Sequence, residues 1–254
     1  MSNATRRQFM SIGAAAAWVA MIAPAWARDA SGPETSSDTA GPRDSGTREA
    51  SAGMATAASL IDPTRALLAS TQAPALTPFL TEWPVANDAL PNNLRPVEPS
   101  TIPVLRYLHD LNSHAPAFSH PLVDDIVRAA PSMAWRRTYT EPDVSAAFLQ
   151  NYGWSEIVGT AGPLASEKVA CGFLILGPRT LYPSHRHEAE EIYIPLVGTA
   201  SWQQGDGPWA DYPPGTVIHH DRNETHAMRT GTSPMLGLYL WRSADLRQKA
   251  HFVR

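Results

Sequence analysis

Beyond Gly159 the sequence breaks into short runs of β-branched and apolar residues, each closed by glycine or proline, and this texture restricts the fold more than any other feature. Val169–Leu176, Glu191–Val197, Thr216–His219 and Pro234–Trp241 have the length and residue types of strands. Gly177-Pro178, Gly205-Asp206-Gly207-Pro208 and Pro213-Pro214-Gly215 read as the turns between them. Strands at this regular spacing predict an antiparallel sandwich or barrel of about 90 residues, spanning 160–254.

The preceding stretch, 58–159, has a different period. Ile102, Leu105, Leu108 and Leu111 fall on one helical stripe, as do Val144, Ala147, Phe148 and Tyr152. Thr140, followed by Pro142 and Asp143, is the expected N-terminal cap of the second helix. Leu122 to Ala130 reads as a further short helix closed by Pro131. Prolines divide this half into short pieces, and His109, His114 and His120 are expected as surface or capping residues.

The chain starts with an address. Thr5-Arg6-Arg7-Gln8-Phe9-Met10 precedes an uncharged apolar run from Ile12 to Trp26 that ends in Ala25-Trp26-Ala27. A basic start, a short hydrophobic stretch and an A-x-A exit describe a signal peptide over 1–27, too short for the roughly 20 residues of a permanent span. The paired arginines resemble a twin-arginine export signal, which predicts a periplasmic protein carried across the membrane folded and no membrane association afterwards. Residues 28–57 are Ser, Thr, Gly, Ala and charged residues almost throughout, and are expected to be a disordered linker.

Composition removes several classes of function. With 20 basic against 24 acidic residues, the chain has no cationic footprint for nucleic acid. Its single cysteine, Cys171, excludes an internal disulfide and a zinc–thiolate cluster.

Five of the nine histidines lie between 185 and 226, in the arrangement His185-x-His187-x-x-x-Glu191-x-Tyr193 with His226 further on. Side chains alternate faces along a strand, so His185 and His187 are expected to point the same way, and Glu191 and Tyr193 share that parity. Two imidazoles, a carboxylate and a third imidazole from a later strand form a nitrogen–oxygen donor set. Such a set suits one divalent transition metal, Zn, Fe, Mn, Co or Ni. His219 and His220 compete with His226 for the last position, because they lie nearer the Pro214-Gly215 turn.

This spacing, with Gly177 before it, Gly198 seven residues after Glu191 and the Pro-Gly turn ahead of the last histidine, resembles the two signature motifs of the cupin superfamily. The resemblance implies a mainly β chain: a C-terminal cupin (double-stranded β-helix, or jelly-roll) barrel preceded by an α-helical N-terminal region. Leu181-Tyr182-Pro183-x-His185-x-His187-x-Ala189-Glu190-Glu191-Ile192-Tyr193 is similar, more narrowly, to the bacterial cupin-type dimethylsulfoniopropionate (DMSP) lyases. That similarity implies His185, His187, Glu191 and His226 as metal ligands, Tyr193 as general base, and Tyr182 as alternative base or substrate-orienting hydroxyl.

The substrate it implies is a small zwitterionic sulfonium carboxylate. Its α-proton is poorly acidic because the adjacent carboxylate is anionic. A metal on that carboxylate would stabilise the enolate-like charge as dimethyl sulfide leaves and acrylate forms. Aromatic faces hold soft cations, and Trp202, Tyr239 and Trp241, with Trp209 and Tyr212, are the candidates. Two other expectations share the ligand set: a cupin Fe(II) dioxygenase, and a non-catalytic periplasmic metal- or small-ligand-binding cupin. Cupins often pair through sheet edges, which makes a homodimer the expected assembly.

Overall fold

The computed structural model describes residues 57–84 and 94–253. The expected signal peptide, and the linker up to its last residue, lie outside the described residues. Eleven strands follow one another: β1 (Tyr152–Gly159), β2 (Leu164–Ala165), β3 (Val169–Leu176), β4 (Leu181–Arg186), β5 (Glu190–Val197), β6 (Ala200–Gln204), β7 (Ala210–Tyr212), β8 (Ile218–His220), β9 (His226–Thr230), β10 (Met235–Arg242) and β11 (His251–Phe252). They form a six-stranded sheet in the order β2-β1-β3-β10-β5-β8 and a five-stranded sheet in the order β11-β4-β9-β6-β7. Apart from the short parallel pairing of β1 with β2, neighbouring strands are antiparallel.

Every residue of β3, Val-Ala-Cys-Gly-Phe-Leu-Ile-Leu, is buried, because the six-stranded sheet is covered on both faces. Val169, Cys171, Phe173 and Ile175 pack with Leu60, Phe79 and Ile126 of the helical half. Leu174 and Leu176 turn into the space between the sheets with Tyr182, Tyr193 and Trp202. The helical half is therefore the outer cover of one sheet.

Its helices among the described residues are α1 (Ile61–Ser70), α2 (Thr77–Thr81), α3 (Leu108–Ser113), α4 (His120–Ala129) and α5 (Ala146–Gln150), with 3₁₀ turns at Pro74–Leu76, Pro103–Tyr107 and Ala130–Ser132. Pro74, Pro78, Pro103, Pro121 and Pro131 each sit in the first turn of one of these elements. A missing N–H costs nothing there and the fixed φ is already helical, so these prolines start helices. No helix among the described residues is long and apolar enough to cross a membrane.

Two expectations from helical spacing are corrected. The stripe from Val144 to Tyr152 is helical only over α5, capped by Ser145, whose hydroxyl accepts from the Phe148 N–H at 3.2 Å. Thr140 instead closes a turn with Asp143. Tyr152 opens β1, whose residues pair with β3 from Tyr152↔Leu176 to Ser155↔Phe173, so sheet pairing prevails over the helical period and the barrel begins before residue 160. Likewise, Ile102 is extended and Pro103 sets a 3₁₀ turn before α3, although Val104, Leu108 and Leu111 are all buried.

Candidate active site

His185 on β4 and His226 on β9 are direct cross-strand partners, with ring centroids 4.2 Å apart. His187 lies one residue beyond the end of β4, so the turn into β5 rather than strand parity delivers it. The β4–β9 register also shifts between Tyr182 and His185. One ring nitrogen from each of His185, His187 and His226 lies within 4.8 Å of the others, and all three rings are buried.

The backbone sets their chemistry. His185 Nδ1 lies 2.8 Å from the Pro183 carbonyl, His187 Nδ1 2.9 Å from that of Ala189, and His226 Nδ1 3.0 Å from that of Glu224. A carbonyl only accepts, so each Nδ1 carries a proton, and Nε2 is the ring atom left to ligate a metal when it is unprotonated. Glu191 reaches the same point from β5, its Oε2 2.8 Å from His187 Nε2 and 3.1 Å from His226 Nε2.

Burial opposes charge on Glu191, but His187 and His226 outweigh it and hold the carboxyl well below its usual range. Burial also pulls His187 down, yet the Glu191 charge and hydrogen bond raise it on balance. Burial, then His226, lowers His185 well below its ordinary value, so it stays neutral, the form that ligates.

Next to the cluster is a cavity of about 420 Å³, reached by Glu191, Tyr182, Tyr193, Tyr239 and Trp241. Tyr182 stacks on His185 at 4.1 Å, and its hydroxyl lies 2.8 Å from that of Tyr139. Burial first, then Glu191, raises the Tyr193 phenol well above its ordinary pKa. Burial first, then Tyr152 and Tyr139, does the same to Tyr182. Trp241 Nε1 donates to Glu191 Oε1 at 2.5 Å, and its ring lies 4.3 Å from that of His187.

The other candidates are placed differently. Trp202 is buried in the barrel between Tyr193 and Tyr212, and neither it nor Trp209 or Tyr212 lines the cavity. Trp209 lies under the Arg229 guanidinium. His219 turns away to Glu190, with Nε2 2.9 Å from Oε1. His220 stacks on His226 at 4.1 Å without joining the three-histidine group, and burial, then His226, lowers it to about 3.

Several lining residues carried no sequence signal. Thr138 comes from the helical half, Tyr152 fits a helical stripe, and Glu156 lies in a stretch whose period predicts helix. Leu246 to Ala250, in the connection from β10 to β11, line the cavity as well.

Two facing sheets around a buried imidazole cluster define a cupin barrel with a site suited to a metal ion. A family model described as dimethylsulfoniopropionate lyase matches residues 84–237, and the chain belongs to that family. Dimethylsulfoniopropionate lyase DddQ of Ruegeria pomeroyi is 33% identical over 159 residues, 61% of this chain and 78% of that protein. A putative dimethylsulfoniopropionate lyase, DddL of Cereibacter sphaeroides, is 33% identical over 124 residues, 48% of this chain and 51% of the relative, about half its length. Among solved structures, one reported with the DMSP lyases RdDddP and RnDddQII superposes with a TM-score of 0.68 at 32% identity, covering 80% of this chain and all of the other.

Proposed function

We propose that this protein cleaves DMSP to dimethyl sulfide and acrylate, using one divalent transition metal held by His185, His187, His226 and Glu191. The observation that carries the reading is the convergence of three buried imidazoles, each with its Nδ1 tied to a carbonyl, beside the Glu191 carboxylate and the phenols of Tyr182 and Tyr193 on one cavity. The donors fit such an ion: His226 Nε2 has no hydrogen-bond partner of good geometry, and the only cysteine is buried on the helix-covered side of β3. Nitrogen and oxygen without thiolate suit Zn, Fe, Mn, Co or Ni.

Lewis-acid charge, drawing electron density from the substrate carboxylate and favouring the phenolate of Tyr193, is what the ion supplies when bound. Tyr193 Oη takes the α-proton; the C–H electrons become the Cα–Cβ double bond, and the C–S bond breaks with its pair leaving on dimethyl sulfide. Tyr182, fixed by His185 and the Tyr139 hydroxyl, orients the substrate. Trp241 holds Glu191 in place through its indole N–H. Export to the periplasm belongs to the same reading, supported by Arg6-Arg7, the apolar run from Ile12 and Ala25-Trp26-Ala27.

Purified protein loaded in turn with each of the five metals, kept under argon with DMSP, tests this. Equal amounts of dimethyl sulfide and acrylate are expected from at least one loaded form. Absence of both from all five would overturn the lyase reading, and oxygen uptake in air would redirect it to dioxygenase chemistry.

A further inference from the structure

The cavity has a second acid, set apart from the imidazole cluster. Glu156 on β1 lies in one cross-strand row with Gly172 on β3, Tyr239 on β10 and Tyr193 on β5. Three strand spacings, about 14 Å of backbone, separate it from Tyr193, and it lines the same cavity as Glu191. Gly172 keeps the row open: a Cβ there would stand 2.8 Å from the Tyr239 hydroxyl and 2.0 Å from the Ser155 carbonyl oxygen. Trp154, edge-on to Tyr239 at 6.4 Å, adds an indole to this end.

Glu156 is held rigidly by backbone donors, and the basic residues that line the cavity with it, Arg136, Arg137, Arg247 and Lys249, make no ion pair with it. Its Oε1 accepts from the N–H groups of Ala161 at 2.5 Å and Gly162 at 2.9 Å. Arg95 donates Nε and Nη2 to the carbonyls of Gly162 and Gly159, both at 2.7 Å. Among the described residues Glu156 has no ion pair. Burial raises its carboxyl above the usual value despite both N–H groups and the charges of Arg95 and Arg136, so its own partners do not offset its desolvation.

We propose that Glu156, with the faces of Trp154, Tyr239 and Trp241, is the subsite for the cationic end of the substrate and sets a preference for zwitterions over plain carboxylates. The inference rests on the lyase reading. An alkylated onium group has no N–H or O–H to donate, so only fixed negative charge and π faces can recognise it. The carboxylate end then lies toward Glu191 and the imidazoles, and the cationic end toward Glu156.

Glu156→Gln keeps an acceptor oxygen for both N–H groups and removes the charge. Metal-loaded wild type and variant are titrated with tetramethylammonium and with propionate by tryptophan fluorescence, which needs no turnover. Tetramethylammonium should bind about 10-fold more weakly to the variant, and propionate within about twofold of wild type. With DMSP as substrate, KM should rise about 10-fold while kcat stays within about threefold. Equal weakening of both probes, no weakening of tetramethylammonium, or loss of kcat alone would overturn the proposal. If wild type releases no dimethyl sulfide but the tetramethylammonium difference stands, the lyase reading fails and the subsite survives.

Discussion

Two faces of one strand divide this molecule's work. On β5, Ile192, Ile194 and Leu196 pack into the cluster beneath the helices, while Glu191 and Tyr193, one residue out of phase, face between the sheets. Both sets are buried, at 0–4% exposure, so burial alone does not tell a structural residue from a functional one. The difference lies in what covers them. Beneath the helices the neighbours are hydrocarbon, whereas each oxygen of Glu191 has a hydrogen-bond partner, Oε1 in the Trp241 indole and Oε2 in the His187 ring. A buried carboxylate is tolerated only where each oxygen has such a partner.

Substitutions on the two faces should therefore fail differently. The largest effect is expected from His187→Ala, which removes an imidazole from the cluster. Metal per chain, measured by elemental analysis, should fall from one toward zero. Activity should be lost with it, by more than the roughly 10–100-fold that outer partners of a ligand cost. Retained metal would show that the cluster is not the metal site.

Tyr193→Phe should separate binding from turnover. The ring still packs against Trp202, metal content should be unchanged, and kcat should fall by about 10²–10⁴. Full activity in this variant would remove Tyr193 from the role of base and direct attention to Tyr182.

Phe173→Ala tests the opposite face. Phe173 is fully buried under the helical half, and its loss should destabilise the fold by about 3–5 kcal/mol in urea melts. Metal content of the folded fraction should stay at one per chain. Loss of metal without loss of stability would mean that the two faces are not independent.

Most of this division was legible in the chain because it depends on period and residue type. Val169–Leu176 was readable to the residue, and its unbroken apolar run is what a doubly covered strand requires. The histidines, Glu191 and Tyr193 stand out by spacing, and Tyr182 only by the family resemblance. His187 is the instructive case: parity pointed to the right neighbourhood by the wrong route, since β4 ends at Arg186 and a turn positions the ring. What the chain did not disclose depends on distant contacts. Tyr152 fits a helical stripe until β3 is available to pair with it, and nothing local distinguishes Glu156 from a surface acid. Trp202 and Tyr239 are equally good strand aromatics; only closure of the barrel decides that one packs inside while the other reaches the cavity.

The smallest expected effect comes from the closest comparison, Glu190 against Glu191. Glu190 takes the face opposite its neighbour, where it pairs with Arg242 and with His219 Nε2 at 2.9 Å, and Arg242 continues to Glu82 in the helical half at 3.3 Å. Burial raises its carboxyl, but His219 and Arg242 outweigh that and lower it on balance. A carboxyl lowered by folding adds stability above its unfolded pKa of about 4.3 and loses it as pH falls toward the folded value. Because the group is partly solvated, Glu190→Gln should cost only about 0.5–1 kcal/mol near neutral pH. That difference from wild type should shrink on acidification below about pH 4.5 and in concentrated salt. Both proteins lose any metal in acid, so the difference between them isolates the surface pair. Metal content and turnover at neutral pH should match wild type. If they fall as well, the adjacent acids of β5 act as one unit, and the separation of its faces into support and chemistry fails at the residue where it should be sharpest.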